Sequence, residues 1–143
     1  MENKRVLVVG GSGYVGRELV DLLTNHGYTV MSLSRGGQYL PNATVIKGNA
    51  LDIGLMEKLL GDFDIVVYLA AVIRAFNKRK YKENILGAEV LCDSLILCSN
   101  KPELIYFSTQ NTSLAKTGPY GNSKRRAEAI VRKKLPRAVI LRP

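Results

Sequence analysis

The stretch VLVVGGSGYVGREL, residues 6–19, decides the reading of this chain. Four apolar residues run into a cluster of glycines, and an amphipathic run follows at once. Two spacings are satisfied together. Gly11, Gly13 and Gly16 fit G-x-G-x-x-G, and Gly10, Gly13 and Gly16 fit G-x-x-G-x-x-G. Glycine at these places permits a tight turn, a close approach of backbone to phosphate, and close packing of helix on strand. A helix opening here offers the backbone N–H groups of Ser12, Tyr14 and Val15, and its positive dipole end, to an anion. The motif follows the first strand-like run and opens the first helix-like one, which is the context it requires.

On either side of this turn the chain alternates. RVLVVG reads as a buried strand, and Tyr14 to about Asn25 as a helix stopped by Gly27. YTVMSLS and ATVIKG read as the second and third strands, and Asp52 as the cap of a short helix, GLMEKLL, that ends at Gly61. DIVVYLAA is a fourth strand, and a long helix runs from about Lys80 to Ser99. ELIYFST is a fifth strand. Pro119, suited to a first helical position, opens a helix to about Lys134, and RAVILRP is a sixth strand. Strands rich in Val, Ile and Leu that alternate with helices predict a parallel sheet covered on both faces around a closed core. Right-handed crossovers make it an α/β fold with a doubly wound (Rossmann) sheet: six strands in the order 3-2-1-4-5-6, in three α/β/α layers. No repeat or linker interrupts it, so residues 1–143 form one domain.

The composition, 46% apolar and 23% charged, is that of a globular domain and excludes global disorder. The opening MENKRVLVVGG lacks a secretory pattern, and no apolar stretch is long enough to cross a bilayer. Cys92 and Cys98 lie six apart within a helical pattern, which suits reduced core thiols of a cytoplasmic protein and no metal site. The lone histidine, His26, stands beside Gly27 at a helix end and reads as a capping or surface residue. The net charge of +9 favours anionic partners: nucleotides, phosphates, nucleic acid or acidic membrane.

Two further sites test the nucleotide reading. Dinucleotide folds that prefer NAD usually carry an acid at the end of the second strand, to accept from the ribose 2′-hydroxyl. This chain reads SLSRGG there, with Arg35 and no acid. A guanidinium pairs with a 2′-phosphate, so Arg35 favours NADP(H), with NAD(H) still open. Tyr120 and Lys124 form Y-x-x-x-K at a helix start, on one helix face. A nearby ammonium favours the phenolate and lowers a tyrosine pKa. Ser108 and Thr109, at the carboxyl end of the fifth strand, stand where open α/β sheets bind ligands.

Gly10-x-x-Gly13-x-x-Gly16, VVYLAA (66–71), NILG (84–87), FST (107–109), Tyr120-x-x-x-Lys124 and the final LRP occur in this order. Together they resemble the short-chain dehydrogenase/reductase superfamily, and most of all its extended branch of NAD(P)-dependent nucleotide-sugar epimerases and dehydratases. The resemblance implies that Tyr120 exchanges a proton with a substrate hydroxyl or carbonyl while hydride moves to or from the nicotinamide. Lys124 would lower its pKa and bind the nicotinamide ribose. Ser108, or in competition Thr109, would hydrogen-bond the substrate oxygen, and Asn84 would support the lysine through a water. Leu69, Ala70, Ala71 and Ala50 would line the cofactor. Where the family often has Gly-Asp against the adenine amino group, this chain has Gly48-Asn49, whose amide carbonyl can accept the same bond.

The family continues past the RP pair into a substrate-binding part, and this chain ends at Pro143. The expectation is cofactor binding without efficient turnover by these residues alone, since the walls that stabilise a transition state are missing. The alternatives are a non-catalytic dinucleotide-binding or interaction module, and a nucleic-acid binder through NKRK (77–80), SKRR (123–126) and VRKK (131–134). The last has no aromatic interleaving, and its charges fall mostly on a solvated helix face. The 80–99 helix is apolar around much of its circumference, which predicts a homodimer through it and the 119–134 helix.

Overall fold

In the computed structural model, which describes residues 3–143, the glycine stretch joins the central strand to the first helix. Strand β1 (Arg5–Val9) lies between β2 (Thr29–Ser34) and β4 (Ile65–Tyr68). β3 (Thr44–Lys47) flanks β2, and β5 (Glu103–Phe107) and β6 (Val139–Leu141) continue the other edge. All five pairings are parallel, and the order is β3-β2-β1-β4-β5-β6. Helices α1 (Tyr14–Asn25), α2 (Ile53–Leu60), α3 (Lys82–Leu97) and α4 (Pro119–Lys134) connect them.

Local chemistry sets the helix ends. Asp52 caps α2 by accepting from the Leu55 amide at 3.1 Å. His26 closes α1: its backbone N–H reaches the carbonyls of Leu22 and Leu23, and Nδ1 lies 2.8 Å from the Leu22 oxygen. Gly27 follows at φ +86, a conformation that costs glycine little. The helix expected over 80–99 is shorter. Asn77 accepts from the Arg79 amide and sets residues Lys78–Tyr81 in a 3₁₀ turn, and Cys98 is extended. The fourth strand ends at Tyr68, so Leu69–Ala71 enter the loop above the sheet.

Strand alternation sorts the core into two faces. Leu7, Val9, Val66, Tyr68, Leu104 and Tyr106 face α2, α3 and α4, where Met56, Leu91 and Ala127 complete the larger cluster. Tyr68 and Tyr106 stack there, ring centroids 5.6 Å apart. Val6, Val8 and Val67 face α1, which contributes Val20, and the β2–β3 loop, which contributes Leu40. Among the described residues α1 is the only helix on this side. The closed core expected from the sequence is therefore open over β5 and β6. Val139 and Leu141, in register with Ile105 and Phe107, are 52% and 41% exposed. Cys92 and Cys98 are free and buried, and burial pushes the Cys92 thiol up to about 11, as suits an inert core thiol.

Candidate functional site

Gly10 follows β1 at φ +89, and a Cβ there would meet the Ala70 amide nitrogen at 2.9 Å. The turn then passes Gly13, the N-cap of α1, which has no side chain to bond the first-turn N–H groups. Those donors stay available to an anion. At Gly16 a Cβ would meet the Gly10 carbonyl at 2.5 Å, so the helix lies directly on the turn. Gly11 is equally closed, its missing Cβ facing the Ser32 hydroxyl. Gly10, Gly11 and Gly16 thus have a steric cause, whereas Gly13 has room for a Cβ, its nearest neighbour being the Gly10 carbonyl at 3.6 Å.

A cavity of about 340 Å³ opens above the carboxyl ends of β1, β2 and β4. Its floor is the glycine turn at Gly10, Ser12 and Gly13. Asn49 and Ala50 form one wall, and Leu69, Ala70 and Ala71 the other. Arg35 and Glu83 close the mouth, paired at 2.7 Å. Asn49 spends one acceptor site on the Leu51 amide, at 3.0 Å. Tyr14 and Val15 are 87% and 52% exposed and, like Gly16, stand outside this lining. A turn closed to a Cβ at Gly10, Gly11 and Gly16, beneath an uncapped helix start, fits a dinucleotide pyrophosphate.

Asn84 ties the cavity to the second constellation. Its Nδ2 donates to the Val72 carbonyl at 3.0 Å and to the Ser123 hydroxyl at 2.9 Å, and its Oδ1 accepts from the Val72 amide at 2.7 Å. Ser123 in turn donates to the Tyr120 carbonyl at 2.7 Å. Asn84 therefore staples the loop after β4 to α4, and its amide is committed to these partners.

Lys124 departs from the sequence expectation. It is 2% exposed. Its Nζ donates to the Phe107 carbonyl at 2.8 Å and reaches the Tyr106 hydroxyl at 3.4 Å, lying 4.7 Å from that ring's centroid. Burial pushes its pKa down to about 8, partly offset by Glu128. The Tyr120 phenol is not lowered. Burial raises it, and the hydrogen-bonded Thr109 side chain offsets part of the rise. Of the two candidate hydroxyls, Thr109 stands beside the phenol. Ser108 is buried and turned to the Glu128 carboxylate, without closing a full hydrogen bond. Burial would raise the Glu128 pKa, but Arg142, Ser108 and Arg132 outweigh it and hold the carboxyl at about 2.

Parts of the basic stretches 123–126 and 131–134 are also internally engaged. Arg125 donates to the carbonyls of Thr112 and Leu114, Arg132 and Arg142 to Glu128, and Lys134 to Asp93 at 2.6 Å. Sequence reasoning missed Tyr106, Ser123, Glu83, Glu128 and Arg142. Ser123 carried a hint, being adjacent to the lysine of the motif, and so did Glu128, four residues from both Lys124 and Arg132 on α4; the others are brought in by pairing between distant elements.

Fold and site together define a Rossmann domain whose glycine turn is shaped to receive phosphate. The chain belongs to the NAD dependent epimerase/dehydratase family, which it matches over residues 6–143. An uncharacterised chloroplastic protein of Arabidopsis thaliana is 27% identical over 154 residues, spanning 100% of this chain and 51% of its own length. UDP-glucose 4-epimerase of Lactobacillus helveticus is 29% identical over 152 residues, spanning 89% of this chain and 46% of its own. The Bordetella bronchiseptica enzyme WbmG, solved in complex with NAD, shares the fold at TM-score 0.82 and 22% identity, over 99% of this chain and 53% of that one. The chain spans about half the length of these relatives. Among the described residues no helix is long and apolar enough to cross a membrane.

Proposed function

We propose that this chain is the NAD(P)-binding domain of an epimerase, dehydratase or reductase that acts on a nucleotide sugar or a similar small molecule. The observation that carries the reading is the glycine turn: Gly10 pressed on Ala70, beneath an α1 N-terminus with no side-chain cap. The pyrophosphate lies on that helix start, and the adenosine half between the Asn49–Ala50 wall and Leu69–Ala71. Arg35 at the end of β2 gives NADP(H) a partner for its 2′-phosphate. When bound, the nicotinamide supplies or accepts a hydride. Tyr120 carries the proton at its phenol, and Thr109, the hydroxyl beside it, orients the substrate oxygen. Lys124, held by the Phe107 carbonyl and the Tyr106 hydroxyl, reaches the ribose only by leaving these partners.

A second reading, a binding module without turnover, has its own support: Lys124 is withdrawn from Tyr120, whose phenol is raised. Buried free thiols suit a reducing compartment such as the cytoplasm. Leu86, Ile96 and Leu97, exposed on α3, are the surface for a homodimer that includes α4.

Isothermal titration with NADPH and with NADH tests the reading. The expected result is micromolar binding that is lost in Gly13→Asp. A Cβ at Gly13 meets nothing nearer than 3.6 Å, and aspartate is a good N-cap, so the variant folds. Its carboxylate then occupies the phosphate's donors and repels the ligand. Binding by Gly13→Asp equal to wild type would overturn the pyrophosphate site. If NADPH is bound but no substrate-dependent change in its absorbance follows, the module reading stands.

A further inference from the structure

Arg35 and Glu83 come from separate elements and meet at the cavity mouth. Arg35 leaves the carboxyl end of β2, and Glu83 stands in the first turn of α3, 48 positions later. Nη2 of Arg35 donates to Oε2 of Glu83 at 2.7 Å, a short charge-assisted bond. Their side chains are 58% and 28% exposed, and both line the cavity. The first turn of a helix favours a carboxylate, which keeps Glu83 an effective competitor for the guanidinium.

We propose that Glu83 sets the cofactor choice of this site, because its carboxylate competes with a 2′-phosphate for Arg35. The inference rests on the dinucleotide reading of the cavity. The second strand carries no acid at its end, yet the fold returns one to the same place from α3. NADPH must break the Arg35–Glu83 pair and bring a second anion beside the Glu83 carboxylate. NADH leaves the pair intact, and the carboxylate remains free to accept from a ribose hydroxyl on its second oxygen. Glu83 therefore holds down a preference that Arg35 alone would make strong, and the paired site accepts both cofactors.

Titration of wild type, Glu83→Gln, Arg35→Ser and the double variant with NADPH and NADH provides the test. Glu83→Gln keeps the length and polarity of the side chain and removes its charge. It should tighten NADPH by about tenfold at low salt and leave NADH within about twofold. The gain should shrink as salt rises and vanish in the Arg35→Ser background, which a merely structural role would not produce. Cofactor binding with an unchanged NADPH/NADH ratio in Glu83→Gln would sink the assignment alone. So would a gain that persists without Arg35. If wild type binds neither cofactor, the dinucleotide reading itself fails, and this assignment falls with it.

Discussion

Lys124 is an ammonium held almost out of water, with one carbonyl, one phenol and one aromatic face for company. Its folded pKa is about 8 against an ordinary 10.5. Below pH 8 both folded and unfolded chains carry the charge, and folding bears the full cost of burying it. Between these two values the folded side chain is neutral while the unfolded one is still charged, so the cost fades as pH rises and is gone above 10.5. Cys92 works the other way. Its thiol is raised from 9.0 to about 11, so the unfolded state releases that proton first and stability falls above pH 9. Comparison with Lys124→Met isolates the lysine. Urea denaturation at pH 7 and pH 10.5 should show wild type gaining about 3 kcal/mol on the variant across that range. A constant gap would mean that the ammonium is solvated in the folded chain.

Among the elements, α1 and α2 give opposite expectations for the same substitution. Gly16→Ala places a methyl group within 2.5–2.7 Å of the Gly10 carbonyl and the Gly11 backbone, and should cost about 2 kcal/mol despite the better helix propensity. Gly54→Ala in α2 meets only the Asp52 carboxylate, at 3.5 Å, and should gain about 0.5–1 kcal/mol. Denaturation midpoints of the two variants check both signs. The difference explains what the sequence could reveal. Repeated glycines, apolar runs, the cap at Asp52 and the proline opening α4 are local, so the β1–α1 turn, the strand order and most helix ends were readable from it. Side chains aimed across elements were not. Four-residue spacing put Tyr120 and Lys124 on one helix face, but the Phe107 carbonyl, supplied by β5, draws the ammonium away. Ser108 and Thr109 are neighbours in a strand end, and only packing against α4 decides that the first meets Glu128 and the second Tyr120. Glu83 gave no signal at all, because its partner is 48 positions away.

At the level of the molecule the layers are unequal. Three helices cover one face of the sheet and one covers the other, leaving Val139 and Leu141 partly in water beside Ile105 and Phe107. A position already exposed has little burial to lose. Val139→Thr and Leu141→Thr should each change stability by no more than about 0.5 kcal/mol, and together should reduce the fluorescence of a dye that binds apolar surface. A loss above about 2 kcal/mol would show that this face is covered in solution. The same asymmetry accounts for Val139 and Leu141 among the large apolar side chains left in the open; others, such as Leu86, Ile96 and Leu97, are exposed on α3.

The stacked Tyr68 and Tyr106 rings have an optical consequence. The chain contains no tryptophan, so its near-ultraviolet signal comes mainly from its seven tyrosines. Only a fixed, asymmetric setting gives an aromatic ring strong ellipticity, and this pair, interplanar angle 15°, has one at the centre of the core. Tyr68 also lines the cavity above the sheet, while Tyr106 lies against Lys124. Circular dichroism near 275 nm would therefore register both the tightness of the interior and the arrival of a ligand, from two chromophores already in place.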